Sequence, residues 1–166
     1  MEPRISFTWP SKVLDASGTN LVDDLDRLVV SARYEIVIMA YNVNTNSEFG
    51  LHQSLEECLK KTNPKIKLFC DSISIASSFA SLFYHWKERL EIWYWVDDAE
   101  FSKFHIKGIA VDKEELYIGS ANFSVTAMKS SAECGLFFNS PSCYNSIMVY
   151  LQKLCGAGML MKYNAL

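Results

Sequence analysis

The chain has 166 residues, of which 49% are hydrophobic and 13% aromatic, and it carries a net charge of -3. That length suits one folded domain with a real core, and the lack of any low-complexity segment excludes a disordered tail. The acidic balance excludes a generic basic nucleic-acid binder, so a polyanionic substrate would have to be drawn by a local patch or by a partner subunit.

Cys58, Cys70, Cys134, Cys143 and Cys155 are odd in number and form no C-x-x-C pair. Reduced core thiols are therefore expected, not a disulfide scaffold or a zinc knuckle. Residues 1–10 show no charged segment followed by an apolar run, and no stretch approaches the roughly 18 apolar residues of a membrane span. A reducing, cytoplasmic setting is expected.

The first amphipathic stretch, Leu21, Val22, Leu25, Leu28, Val29 and Ala32, is spaced as one face of a helix. Asn20 or Thr19 is its candidate cap, and Asp23 and Asp24 suit the positive end of its dipole. Residues 35–41 form an apolar run too short for a helix, which predicts a strand buried on both faces. A polar loop over 42–47 leads into a second helix with Leu51, Leu55, Cys58 and Leu59 inward, ending before Asn63-Pro64. Alternation over 65–70 predicts a strand, Ile75 to Trp86 a third helix, and 90–96 another strand. Residues 104–111 and 115–118 read as a hairpin around Asp112-Lys113, followed by a loop or short helix to Ser130 and a strand at 134–138. Ser140 caps a last helix with Pro141 in its first turn, and Gly156 is the expected stop. Strands alternating with crossover helices predict an α/β fold: a mixed β-sheet flanked by helices on both faces, in one domain over 1–166.

The segment with chemistry in it begins at His105 and Lys107, two apart on a strand and so on one face, with Ile106 turned away. Asp112 follows at the turn. Gly119, Ser120 and Asn122 then return a hydroxyl and an amide to the same place, and Glu133 precedes the next strand. A nucleophile beside a fixed cation suits a phosphodiester.

These residues stand in the order H-x-K-x4-D-x6-G-S-x-N, which resembles the hallmark of the phospholipase D superfamily. The likeness extends over about residues 15–155, including the preceding order of helices and strands and the later Glu133 in Ser130-Ser-Ala-Glu133. It implies a phospholipase D-like half-domain. Superfamily members usually carry two copies of the motif, and this chain has one. The resemblance thus implies a homodimer whose half-sites face each other across a two-fold axis, as in small bacterial nucleases of the superfamily. It further implies that one His105 attacks phosphorus while the other protonates the leaving oxygen. Lys107 and Asn122 would then hold the non-bridging oxygens, and Glu133 would orient an imidazole. Ser120 and Gly119 have supporting places, and Asp112 braces the hairpin turn. No cofactor or metal is implied, since nothing reads as a carboxylate or histidine ligand cluster.

The expected function is metal-independent hydrolysis of DNA or RNA. The alternatives are a phospholipase or phosphatidyl transferase, against which the lack of a membrane anchor weighs, and a non-catalytic subunit of a larger nucleic-acid-processing or defence complex. Other features have plainer readings. Trp93, Tyr94, Trp95, Phe101 and Phe104 could stack bases but are expected to pack the core or a dimer interface. Lys60, Lys61, Lys65 and Lys67 read as a solvated loop, and His52 and His85 as surface or partly buried residues. The acidic Asp97, Asp98 and Glu100 must fold away from a polyanion site or gate it, and Met159, Leu160 and Met161 are candidates to pack on a partner.

Overall fold

The computed structural model describes residues 2–9, 20–43, 50–97, 99–100 and 102–164. Among them, eight strands form one sheet: β1 (Arg4–Phe7), β2 (Glu35–Ala40), β3 (Lys65–Cys70), β4 (Leu90–Trp95), β5 (Lys107–Val111), β6 (Glu115–Gly119), β7 (Cys134–Asn139) and β8 (Leu160–Lys162). Their spatial order is β1-β7-β6-β5-β2-β3-β4-β8. β2, β3 and β4 run parallel, and every other neighbour pair is antiparallel.

The sheet is mixed and covered on both faces, as the sequence predicts. On one face Ile36, Ile38, Ile66, Leu68 and Ile109 meet α1 (Leu21–Val30), α2 (Gly50–Lys61) and α3 (Ile73–Leu82). On the other, Val37, Met39, Phe69, Ala110 and Leu116 lie under Tyr144, Leu151 and Leu154 of a long C-terminal helix, Pro141–Gly156. β2 is central, so all six of its residues are buried. Each such aliphatic side chain contributes about 1.5–3 kcal/mol of burial.

Polar anchors fix the edges. Asn20 caps α1, its Oδ1 accepting from Val22 N–H at 2.9 Å; Thr19 lies outside the described residues. Asp24 is fully buried, not a solvated dipole partner, and binds Arg4, Arg27 and Ser6. It thereby ties β1 to α1. β1 has only four residues and no periodicity to betray it, and the sequence reading missed it. Glu35 receives Lys67 Nζ at 2.7 Å and the Tyr144 hydroxyl at 2.5 Å, docking the C-terminal helix onto β2. Lys67 is therefore a structural cation and not part of a solvated loop.

Several boundaries differ from expectation. Residues 104–106 belong to no strand, β5 beginning at Lys107, and Phe104 N–H donates instead to Asp71 Oδ1 at 2.8 Å. The third helix ends at Leu82 and a 3-10 helix follows over Tyr84–Arg89. A short helix, α4, spans Val125–Lys129, and the long α5 (Pro141–Gly156) runs through Gly156, the left-handed turn coming at Gly158 with φ 74°. Leu160 and its neighbours form β8, an edge strand that pairs with β4 of the same chain and leaves Met161 exposed. Trp93 stacks on Phe69 and Trp95 packs on Phe104, so these rings are core; Phe101 lies outside the described residues. Only Cys58 and Cys70 are core thiols, burial pushing Cys70 up to about 12, while Cys134 and Cys143 are exposed.

Candidate active site

The β5–β6 hairpin sets the site, and its turn is held by Asp112. Asp112 and Lys113 have φ of 51° and 66°, two left-handed residues in a three-residue connection over 112–114 that is closed by Glu114 N–H donating to Val111 O at 3.1 Å. The Asp112 carboxylate accepts N–H groups of Arg33, Tyr34 and Glu35 at 2.9, 2.8 and 2.9 Å. It thus braces the entry to β2, across from its own turn.

At the open end of the hairpin, Phe104 and Ile106 point into the α5 face, so His105 and Lys107 project from the opposite one. His105 is exposed and Lys107 is buried. Lys107 Nζ lies 3.3 Å from Nδ1 and 3.2 Å from Nε2 of His105. An ammonium equally near both ring nitrogens is off the in-plane lone pair of either, so it is a cation held against the ring and not a directed hydrogen bond. Burial holds the Lys107 ammonium below the usual lysine range, while the charge of Glu133 acts in the other direction. Among the described residues no carboxylate stands within ion-pair distance of Lys107. Tyr41, which follows β2, packs its ring 4.7 Å from the imidazole.

β6 and β7 bring the second half of the motif. Gly119 pairs with Gly135, and the Tyr117 ring lies across both. A Cβ on Gly119 would strike the Tyr117 hydroxyl and sit 2.7 Å from the Cys134 carbonyl oxygen, so glycine is required for close approach. Ser120 Oγ donates to Glu133 and accepts Cys134 N–H at 3.2 Å. Thr8 secures Glu133 from β1's end: its Oγ1 accepts Glu133 N–H at 2.8 Å and its N–H donates to Glu133 O at 3.0 Å. Glu133 makes no hydrogen bond with His105 of its own chain. Asn122 is half-buried, and its Oδ1 is buried without a hydrogen-bond partner. Beside Ser120 and Glu133 opens a groove of about 460 Å³, with Phe7, Trp9 and Cys134 in its wall.

Sequence reasoning missed Tyr41, Asp71, Thr8 and Tyr117. Tyr41 and Asp71 each follow a parallel strand at its carboxyl end, where α/β sheets place ligands, and that rule was the available signal. Thr8 and Tyr117 had none, because their roles depend on β1 pairing and on the Gly119–Gly135 approach. The acidic loop folds on itself: Asp97 accepts Ser102 Oγ at 2.5 Å and Ala99 N–H at 3.3 Å, and Asp98 lies outside the described residues. His52 packs on Phe83 and His85 is exposed, both away from the motif. Among the described residues no group of three His, Cys, Asp or Glu is placed to hold a metal ion, and no helix is long and apolar enough to cross a membrane.

One imidazole and one buried cation thus stand together at the rim of a mixed sheet. Residues 25–155 match the family described as "Cardiolipin synthase, PLD-like domain", and the chain belongs to the phospholipase D superfamily, whose fold is that of phosphodiesterases. No curated protein matches the chain. Among solved structures it is similar to Nuc of Salmonella typhimurium, a phospholipase D family member, at a TM-score of 0.71 and 20% identity over 99% of this chain and 100% of that one. NucT of Helicobacter pylori gives a TM-score of 0.73 at 16% identity, covering 98% and 100%. Phosphatidylserine synthase of Haemophilus influenzae Rd KW20 gives 0.68 at 16% identity, covering 97% of this chain but 39% of that one.

Proposed function

We propose that the protein is a metal-independent phosphodiesterase that hydrolyses DNA or RNA at a site shared by two copies of the chain. The observation that carries this reading is the buried Lys107 ammonium, held against the exposed His105 ring with no carboxylate to neutralise it. A fixed, partly desolvated cation beside a nucleophile fits a substrate that brings its own negative charge.

A ring nitrogen of one His105 attacks phosphorus and the P–O bond to the leaving group breaks. The His105 of the second copy gives its proton to that oxygen. Water then loses a proton to the second imidazole and attacks phosphorus, and the P–N bond breaks. Lys107 and the Asn122 amide of both copies meet the non-bridging oxygens. Glu133 is held by Ser120 and Thr8 within its own chain and is free to orient the imidazole facing it. A second copy would also cover Phe7, Ile118 and Leu136, apolar residues exposed on the sheet beside the groove at Ser120 and Glu133.

The likeness to a phosphatidylserine synthase and the family description favour lipid substrates as the second reading. The test is purified protein with single- and double-stranded nucleic acid and with phosphatidylcholine vesicles, all in EDTA. Nucleic-acid cleavage that disappears in His105→Ala supports the proposal; turnover of lipid alone, or an active species that light scattering finds strictly monomeric, overturns it.

A further inference from the structure

In a chain of net charge -3, two ammonium groups lie beside one residue, Tyr41. Lys107 Nζ lies 5.4 Å from its ring centre, and Lys103 Nζ lies 5.6 Å from the centre and 3.4 Å from the hydroxyl. Those last two distances put the Lys103 ammonium off the hydroxyl edge, not over the ring face. Tyr41 also contacts His105, with ring centres 4.7 Å apart, so one ring touches both the nucleophile and a second cation. Among the described residues no carboxylate stands within ion-pair distance of Lys103, and the nearby Asp71 and Asp97 are engaged by Phe104 N–H and by Ser102.

Lys107 is committed to the phosphate under attack. Lys103 cannot be farther from the imidazole than its own reach to Tyr41 and the Tyr41–His105 contact laid end to end, and a nucleic-acid strand repeats its charge every few ångströms along its axis. We propose that the Lys103 ammonium and the Tyr41 hydroxyl form a second anion subsite, which binds the phosphate next to the scissile one in a polynucleotide strand. This rests on the nuclease reading and deepens it: a phosphodiester with a single phosphate leaves the subsite unused.

Binding and turnover test it separately. A short fluorescent single-stranded oligonucleotide is titrated by anisotropy with His105→Ala and with His105→Ala/Lys103→Ala, between roughly 50 and 200 mM salt. The double variant is expected to bind more weakly at low salt, with a salt slope shallower by about 0.7 for each ammonium that contacts the strand. Lys103→Arg in the same background restores the slope. In the active protein, Lys103→Ala is expected to lower kcat/KM for the oligonucleotide about tenfold relative to bis(p-nitrophenyl) phosphate. Unchanged slopes, no oligonucleotide binding, or equal losses on both substrates would overturn the subsite. The expected slope difference in a protein that cleaves neither substrate would instead overturn the nuclease reading alone.

Discussion

At the turn of the β5–β6 hairpin the Asp112 carboxylate accepts three backbone N–H groups at 2.8–2.9 Å. At the open end Lys107 is buried with no carboxylate in range among the described residues. Both ends belong to one motif, yet only one end has hydrogen-bonding capacity to spare. Buried polar groups that are fully paired specify structure, while those left unpaired raise the cost of the fold unless a ligand completes them. On the proposed function, that contrast gives Asp112 to stability and the buried ammonium of the open end to substrate.

Exchanging the effects of the two ends is the strongest way to break that contrast. His105→Ala should reduce turnover by about 10⁴-fold or more in steady-state assays and leave the melting temperature near that of the parent. Asp112→Ala should do the reverse, costing about 2–3 kcal/mol in denaturant titrations because three backbone donors lose a charged acceptor, while the folded fraction keeps its kcat. Loss of activity without loss of stability in Asp112→Ala would place the carboxylate in the chemistry.

Lys107 sharpens the contrast through pH. Its ammonium is held below the usual lysine range by burial, so the charge is complete at low pH and lost sooner than in an ordinary lysine as pH rises. The alkaline limb of the rate profile should move upward in Lys107→Arg, since arginine stays charged, even though kcat itself falls. Position 119 tests the glycine pair: Gly119→Ala should cost about 1–3 kcal/mol by overpacking against Tyr117 and the Cys134 carbonyl, and Tyr117→Phe should relieve part of it. The smallest effect is expected away from the site, at Glu35. Burial raises its carboxyl, but Lys67 and Tyr144 outweigh that and hold it below the usual range. Its stabilising contribution is complete above the ordinary glutamate value and fades as pH falls through the lowered one. Acid titrations of Glu35→Gln should therefore show a shallower loss of stability than the parent.

Much of this was legible in the sequence, for identifiable reasons. β2 announced itself because a strand covered on both faces must be apolar throughout, and α5 because Ser140 and Pro141 mark its start. The motif residues could be named because their order and spacing resemble the superfamily hallmark, and a two-residue spacing along a strand-like segment puts His105 and Lys107 on one face. β1 and β8 were not legible: at four and three residues they are held by register and by buried anchors such as Asp24, which no local pattern encodes. Lys103 escaped although it stands two residues before His105, because only its contact with Tyr41, at the end of β2, sets it beside the site.

The central claim is that two copies of one imidazole serve a single phosphorus atom. Acid quenching during turnover of a labelled substrate, followed by peptide mapping, counts the covalent phosphoryl group directly. The account predicts label on His105 at one group per two chains. One group on every chain, or label on another residue, would contradict it.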